Sequence, residues 1–188
     1  MYMGDFTLGE ILKATKAHLL RGKNRVFTGI STDSRTIKPG QLFIPLLGLN
    51  YDGHHFINEA KNKGAKGSLL LNSLNDTVGI SNDDKSFVLI GVDDTLRSLQ
   101  EIASFHRQRF QLEVLVITGS TGKTTCKEMI YAILSTQFRT LRSEGNLNNI
   151  IGLPITLLQL DSNHQIAVLE LGMNLPGEID RMAEIASP

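Results

Sequence analysis

The 188-residue sequence has a single cysteine, no net charge and no long apolar run, and each absence excludes a class of protein. One cysteine rules out an internal disulfide, and Cys126 lies in an apolar helical pattern that predicts a small core residue. Nineteen basic and nineteen acidic residues cancel, so electrostatic steering towards nucleic acid or an anionic membrane is not expected. No apolar run approaches the ~20 residues that span a bilayer, and the first six residues lack the basic and apolar regions of a secretion signal. A cytoplasmic α/β protein without membrane insertion is therefore predicted.

Short apolar segments and short helical segments alternate along residues 1–92, which predicts a small α/β unit. Thr7 and Glu10 have the spacing of a helix capping box. Residues 42–47 are predicted to form a strand that contains Pro45, and residues 72–85 have the composition of a loop.

A long amphipathic helix is expected after residue 92, and we place the domain boundary near Val92, where one α/β unit ends and another begins. The predicted buried face of this helix comprises Leu96, Leu99, Ile102, Ala103, His106 and Phe110.

The strongest functional pattern runs from a buried strand through a glycine turn into a helix. Residues 114–117 are four consecutive apolar residues, as in a strand buried on both faces of a parallel sheet. The turn N–H groups, the helix N-terminus and Lys123 all favour a phosphate, and the Thr124 hydroxyl is suited to a Mg²⁺ that bridges nucleotide phosphates. The predicted nucleotide-binding residues are Gly119, Ser120, Thr121, Gly122, Lys123, Thr124 and Thr125.

The spacing of this loop departs from the usual phosphate-binding loop, whose first glycine would fall at Ile117, inside the strand. The alternative is an ordinary strand–turn–helix with a chance Gly-Lys-Thr sequence. The context favours nucleotide binding, because a buried strand precedes the loop and an amphipathic helix follows it. The predicted apolar face of that helix comprises Cys126, Met129, Ile130, Ile133 and Leu134.

A second apolar strand, residues 166–169, ends at Glu170. Ligands of open α/β sheets bind beyond the carboxyl ends of the strands, so Glu170 and the glycine loop are expected at the same edge. Beside a phosphate loop, a carboxylate there is typical of a Mg²⁺ ligand, which predicts a metal site at Thr124 and Glu170. The asparagines at 146, 148 and 149 are either turn formers or amide donors to phosphate, and their spacing favours neither. Pro154 is predicted to be the first residue of the helix that follows them.

The adjacent pair His54 and His55 raises the question of a metal site. No cysteine or second histidine cluster lies nearby, and neighbouring side chains of a strand point to opposite faces, so a metal pair is not expected. His54 is either an exposed loop residue or part of a ligand-binding loop.

Several of these segments resemble the Mur ligase family of peptidoglycan synthesis, over nearly all of the chain. Residues 31–35, 39–43 and 52–54 are similar to the family's N-terminal signature for binding the UDP-sugar. Residues 118–125 resemble its shortened ATP loop, which accounts for the missing glycine.

Two later segments, residues 145–154 and 170–178, resemble the branch of the family that adds D-alanyl-D-alanine rather than the branch that forms the tripeptide. The resemblance implies a UDP-sugar-binding domain in residues 1–92 and the first part of a mostly parallel, P-loop-type ATPase domain in residues 93–188. It implies catalytic roles for Lys123 and Glu170 and adds Asn146 and Asn149 to the ATP-binding residues. The implied substrate-binding residues are Ser31, Thr32, Asp33, Ser34, Arg35, Asp52, Gly53 and His54.

The resemblance also implies the chemistry: ATP and Mg²⁺ as cofactors, UDP-N-acetylmuramoyl-tripeptide and D-alanyl-D-alanine as partners, an acyl-phosphate intermediate and a monomeric protein. Family members are more than twice this length, so the chain is expected to be an N-terminal fragment that is inactive alone. The alternatives are a non-catalytic module that binds a UDP-sugar and a nucleotide, the tripeptide-forming ligase, and a ligase similar to folylpolyglutamate synthetase. The segment 31–35 argues against the last.

Overall fold

A computed structural model describes residues 4–48, 51–74 and 86–188, and strands alternate with short helices along them. The predicted α/β class is confirmed. The fold consists of two units, one ending at Ile102 and the other comprising Ala103–Pro188. The expected division into a UDP-sugar-binding domain, residues 1–92, and an ATP-binding domain, residues 93–188, stays a prediction.

The described residues of the first unit form seven strands and the helices around them. In chain order these are β1 (Phe6–Thr7), α1 (Leu8–Thr15), β2 (His18–Arg21), β3 (Val26–Phe27), β4 (Ile30–Ser31), β5 (Leu42–Phe43), a 3₁₀ helix (Gly53–Phe56), α2 (Ile57–Asn62), β6 (Gly67–Leu71), a 3₁₀ turn (Asn72–Leu74), β7 (Val88–Val92) and the start of α3 (Thr95–Arg107).

Five of these strands form one sheet in the order β2-β7-β6-β5-β4. Strands β4 to β7 are parallel, so the segments after β4, β5, β6 and β7 all leave the same edge. The edge strand β2 runs antiparallel to β7 and was not predicted. Strands β1 and β3 form a separate antiparallel pair.

Local signals account for several element ends. The capping box is confirmed, since the Thr7 hydroxyl accepts the Glu10 N–H and the Glu10 carboxylate accepts the Thr7 N–H. The strand predicted at residues 42–47 ends at Phe43, because Pro45 has no N–H with which to continue a ladder. Most of the loop predicted at residues 72–85 lies outside the described residues.

The core of the first unit forms where α2 packs on the sheet. One cluster of this core consists of buried apolar residues, namely Ile37, Phe43, Ile57, Ala60, Ala65, Leu70, Phe87 and Leu89. Burial of this size is the main favourable term in folding such a unit.

The second unit is built on a three-stranded parallel sheet in the order β8-β10-β9. Its elements are β8 (Glu113–Ile117), α4 (Lys123–Leu134), β9 (Thr140–Arg142), α5 (Gly152–Leu157), β10 (Ile166–Glu170) and α6 (Glu178–Ala186). The central strand β10 is buried along its whole length, as its apolar run predicts. Helix α5 begins two residues before Pro154, which therefore lies inside the first turn, where a missing N–H costs no helical hydrogen bond.

The predicted apolar face of α4 was wrong. Met129 and Ile133 are 63% and 69% exposed, and Cys126 is exposed rather than a core residue. The one buried side chain of α4 is Lys127. The 3.6-residue period located an apolar stripe correctly, but a stripe is buried only where another element covers it.

The buried face of α3 agrees better with the prediction. Leu99, Ile102, Ala103 and His106 are fully buried. Among the described residues, none of the helices combines the length and the apolar character needed to span a bilayer.

Candidate functional site

The predicted phosphate loop joins the end of β8 to the start of α4. Gly119 and Gly122 have φ angles of 145° and 77°, a region that side chains disfavour. An added Cβ on Gly122 would meet nothing within 4 Å, so the need for glycine there is conformational rather than steric. Lys123, the first residue of α4, donates from Nζ to the Gly119 carbonyl at 2.7 Å, which folds the ammonium over the loop.

Parallel pairing brings Glu170 to this loop. In the ladder Glu170 pairs with Ile117, so both strands end at the same edge, as the sequence predicts. The Thr124 hydroxyl donates to the two Glu170 carboxylate oxygens at 2.9 and 3.2 Å. Glu170 is 2% exposed, so its charge lies almost entirely out of water.

These oxygen donors fit a magnesium ion. Mg²⁺ prefers oxygen ligands and is usually held by one or two protein groups together with phosphates and water. A hydroxyl and a carboxylate in direct contact, next to a loop of the phosphate-binding kind, provide the protein share of such a shell. In the described parts of the chain, no cluster of three or more His, Cys, Asp or Glu side chains suited to a metal occurs.

The three asparagines at 146, 148 and 149 make different contacts. Asn148 donates from Nδ2 to Glu170 at 2.9 Å. Asn149 accepts the N–H groups of Ile151 and Gly152 with its Oδ1 at 3.0 and 2.8 Å, and so caps the start of α5. Asn146 lines the cleft beside the loop. The sequence left turn formation and donation to phosphate equally open. The geometry shows the first for Asn149, and donation to phosphate stays a prediction.

A cleft of about 640 Å³ lies over the loop. It is lined on one side by the phosphate loop and Lys123, on another by the asparagine segment, and on a third by the segment after β10, in full Thr118, Gly119, Ser120, Lys123, Asn146, Asn148, Asn149, Leu171, Gly172, Met173, Asn174 and Ile179. The residues after β10 were not predicted to belong to the site. Their signal was their position at the carboxyl end of a central strand.

Two buried groups behind Glu170 were also missed by sequence reasoning. Lys127 lies 3.7 Å from a Glu170 oxygen, and the Ser143 hydroxyl accepts the Glu170 N–H at 3.2 Å. No sequence pattern distinguishes Lys127 from an ordinary surface lysine of a helix.

In the first unit, the segment after β4 forms a compact polar turn. The Ser31 hydroxyl accepts the Asp33 N–H, and Thr32 is half-buried. One edge of the Arg35 guanidinium donates two hydrogen bonds to the Asp33 carboxylate, from Nε at 3.0 Å and from Nη2 at 2.8 Å, while the Arg35 side chain remains 81% exposed. The Arg35 side chain and backbone N–H both bond to Asp33 and hold the pKa of that carboxyl below its usual value. Ser34 is buried and donates to Glu59 at 3.1 Å.

The segment Asp52, Gly53 and His54 is packed into the first unit. The His54 ring is buried, with Nδ1 2.6 Å from Asp52 and Nε2 accepting the Leu71 N–H at 3.4 Å, which assigns the ring proton to Nδ1. Burial alone raises the pKa of Asp52, but the backbone and ring hydrogen bonds from His54 bring it below its ordinary value. An added Cβ on Gly53 would lie 2.7 Å from the Leu46 backbone, so glycine is required by close approach.

Two family models match the chain. The model described as "Mur ligase middle domain" matches residues 117–188, and the model described as "Mur ligase family, catalytic domain" matches residues 26–72. Together they cover the two segments in which the candidate residues lie.

Individual proteins give the same result. The UDP-N-acetylmuramoyl-tripeptide--D-alanyl-D-alanine ligase of Bacillus subtilis is 41% identical over 181 residues, which are 96% of this chain and 38% of the relative. A crystal structure of MurF from Acinetobacter baumannii matches with a TM-score of 0.88 and 34% identity, over all of this chain and 40% of that one. The MurF ligase of Thermotoga maritima in complex with ADP matches with a TM-score of 0.72 and 30% identity, over 84% of this chain and 35% of that one. The chain thus spans about two fifths of the length of these relatives.

Proposed function

The chain belongs to the Mur ligase family, and from that premise we propose that the protein containing it is an ATP-dependent ligase that joins D-alanyl-D-alanine to UDP-N-acetylmuramoyl-tripeptide in the cytoplasm. The names of the matched relatives support the substrates, and the complex of one structural neighbour with ADP supports the nucleotide.

The observation that carries this proposal is the contact between Thr124 and Glu170 next to Lys123, a residue that itself lines the cleft. The triphosphate of a nucleotide with Mg²⁺ requires a glycine loop at a helix N-terminus, a lysine ammonium and oxygen ligands for the metal. A Mg²⁺ bound by Thr124 and Glu170 would withdraw charge from the phosphate oxygens. Lys123 would release the Gly119 carbonyl and turn its ammonium to the transferred phosphoryl group.

The reaction we propose has two steps. An oxygen of the tripeptide's terminal carboxylate attacks the γ-phosphorus of ATP, the bond to the β-phosphate oxygen breaks, and an acyl phosphate and ADP result. The amine of D-alanyl-D-alanine, having lost a proton, then attacks the acyl carbon, and inorganic phosphate leaves with the electron pair. Both steps build negative charge on phosphate oxygens, where Lys123 and the N-terminus of α4 contribute most.

The first unit would bind the UDP-sugar. Its candidate residues lie beyond the carboxyl ends of parallel strands, where α/β sheets bind ligands. Arg35 is exposed yet fixed by Asp33, which suits a diphosphate. We propose that Asp52, Gly53 and His54 set the backbone conformation of their own segment rather than contact the ligand. Both ring nitrogens of His54 already form hydrogen bonds within the fold.

Phosphate release tests the proposal. The full-length natural protein is mixed with ATP, Mg²⁺, UDP-N-acetylmuramoyl-tripeptide and D-alanyl-D-alanine, and each substrate is omitted in turn. We expect phosphate only with all of them present. Release that needs a UDP-N-acetylmuramoyl-dipeptide and a single amino acid instead would identify the tripeptide-forming ligase and refute the proposal.

A non-catalytic role of the isolated chain is the second candidate, because the chain spans only 38% of the Bacillus subtilis relative. The same assay on the 188-residue chain, combined with calorimetric titration of UDP and ADP, separates binding from turnover. Binding without phosphate release is the expected result for the chain alone.

A further inference from the structure

Lys127 is a buried cation that the proposed reaction does not yet use. It lies one turn after Lys123 on α4, and its side chain is 1% exposed. An ammonium removed from water is costly unless acceptors surround it, so its partners indicate its purpose.

Three acceptors surround this ammonium. Nζ donates to the Ser143 carbonyl at 2.8 Å and lies 3.1 Å from a Glu128 oxygen and 3.7 Å from a Glu170 oxygen. The contact with Ser143 is a hydrogen bond, and the contacts with Glu128 and Glu170 are ion pairs. Glu128 also pairs with Arg142, so two cations and two carboxylates cancel in this group.

Ser143 links the cation to the backbone of the metal-ligand candidate. Its carbonyl accepts from Lys127, while its hydroxyl accepts the Glu170 N–H at 3.2 Å. The carboxylate of Glu170 then faces Thr124 and Asn148, with the ammonium behind it. Lys127 does not line the cleft, and its charge faces the Glu170 carboxylate instead.

We propose that Lys127 is a positioning residue that serves as the resident counter-ion of Glu170, an inference that rests on the proposed function. It neutralises the buried carboxylate before any cation arrives and keeps it aimed at Thr124. Because the pair carries no net charge, the site attracts a divalent cation weakly by itself and takes it up together with the nucleotide phosphates. The site is thereby preformed without holding free metal.

Metal binding without nucleotide tests this directly, with Mn²⁺ as the probe and its free fraction read by electron paramagnetic resonance on the full-length natural protein. Lys127→Met keeps the length of the side chain and removes the charge, so Mn²⁺ should bind at least tenfold more tightly. Lys127→Arg keeps the charge and should stay within threefold of the unmodified protein. The matched control Lys63→Met removes a lysine that is paired with a carboxylate, Glu59, in the first unit, and should also stay within threefold. Unchanged or weaker Mn²⁺ binding in Lys127→Met overturns the proposal.

The unfolding temperature is a second measurement, and it remains informative when a variant is destabilised. Lys127→Met leaves a buried carboxylate without its counter-ion and should lower the unfolding temperature. The double variant Lys127→Met/Glu170→Gln should regain most of that loss, since the uncompensated charge is gone. A double variant no more stable than Lys127→Met overturns the pairing. If the unmodified protein binds neither ADP nor Mn²⁺, the proposed function fails, whereas this unfolding cycle still decides the role of Lys127.

Discussion

Replacing Lys123 by alanine should separate nucleotide binding from stability. In the fold, Lys123 makes one hydrogen bond from a partly exposed side chain to the Gly119 carbonyl. Such a bond contributes about 0.5–1.5 kcal/mol. Lys123→Ala also removes a positive charge from a helix N-terminus, which returns about 0.3–1 kcal/mol. The free energy of unfolding should therefore change by less than about 1 kcal/mol.

The loss of nucleotide affinity should be much larger. A lysine–phosphate charge pair about 4 Å apart contributes up to ~4 kcal/mol at the effective dielectric constant of a protein surface. Allowing half of that for water that replaces the ammonium, the loss is about 2–4 kcal/mol, or roughly 30- to 900-fold in the dissociation constant of ADP. Ligation by the full-length protein should fall at least as far, because negative charge develops on the β-phosphate oxygen as its bond to the transferred phosphoryl group breaks.

The assay pairs calorimetric ADP titration with urea unfolding of the same samples. Arg139→Ala is the matched control, since Arg139 is an exposed cation just before β9, at the end of the sheet away from the loop. It should leave ADP affinity within threefold. If Lys123→Ala also stays within threefold, the loop does not bind the phosphates. If it instead lowers the unfolding free energy by more than ~3 kcal/mol, Lys123 is a structural residue.

Three further predictions concern stability and the first unit. Gly152→Ala would place a Cβ 2.5 Å from the Leu147 backbone, so it should lower the free energy of unfolding in urea by about 1–3 kcal/mol and weaken ADP binding. Gly9→Ala, whose added Cβ would have nothing within 4 Å, should instead raise that free energy by up to ~1 kcal/mol. Burial lowers the pKa of His106 from 6.5 to about 4, so the unfolded chain binds the proton first as the pH falls, and the free energy of unfolding should decrease by about 3 kcal/mol from pH 6.5 to pH 4. The difference in unfolding free energy between the unmodified chain and His106→Leu should follow this slope across that range. A difference that does not change with pH would contradict the prediction. Asp33→Asn should cost less than ~1 kcal/mol of stability, because the pair is exposed, yet weaken UDP binding measured by titration; unchanged binding would separate this turn from the ligand.

The elements that sequence reasoning predicted correctly are those whose signal is local. Residues 114–117 and 166–169 are apolar throughout, and both form strands of the same parallel sheet. The two glycines before Lys123 predicted the turn. Because parallel strands run in the same direction, Glu170 was predicted to lie beside that turn, and it does. Each inference needed only a few neighbouring residues and one rule of sheet topology.

The errors arose where burial depends on distant parts of the chain. The stripe of Met129 and Ile133 on α4 has helical spacing, but spacing does not say what covers a face. Lys127 was overlooked because lysine is usually exposed, and its burial follows from acceptors 16 and 43 residues further along the chain. The strand His18–Arg21 shows no alternation of apolar and polar residues, and it pairs with β7, a strand far away in the sequence.

The asparagine segment shows why the two halves of the site should respond together. Asn149 caps α5, Asn148 holds Glu170, and the backbone carbonyl of Asn148 accepts the Gly172 N–H at 2.7 Å. The segment therefore joins the metal-ligand candidate to the far wall of the cleft through one side-chain and one backbone hydrogen bond of Asn148. A change that shifts it, such as one at Gly152, moves the Glu170 carboxylate and the wall at once. Nucleotide affinity measured with and without Mg²⁺ should then fall together in such a variant, whereas a change at Thr124 should lower only the affinity measured with Mg²⁺.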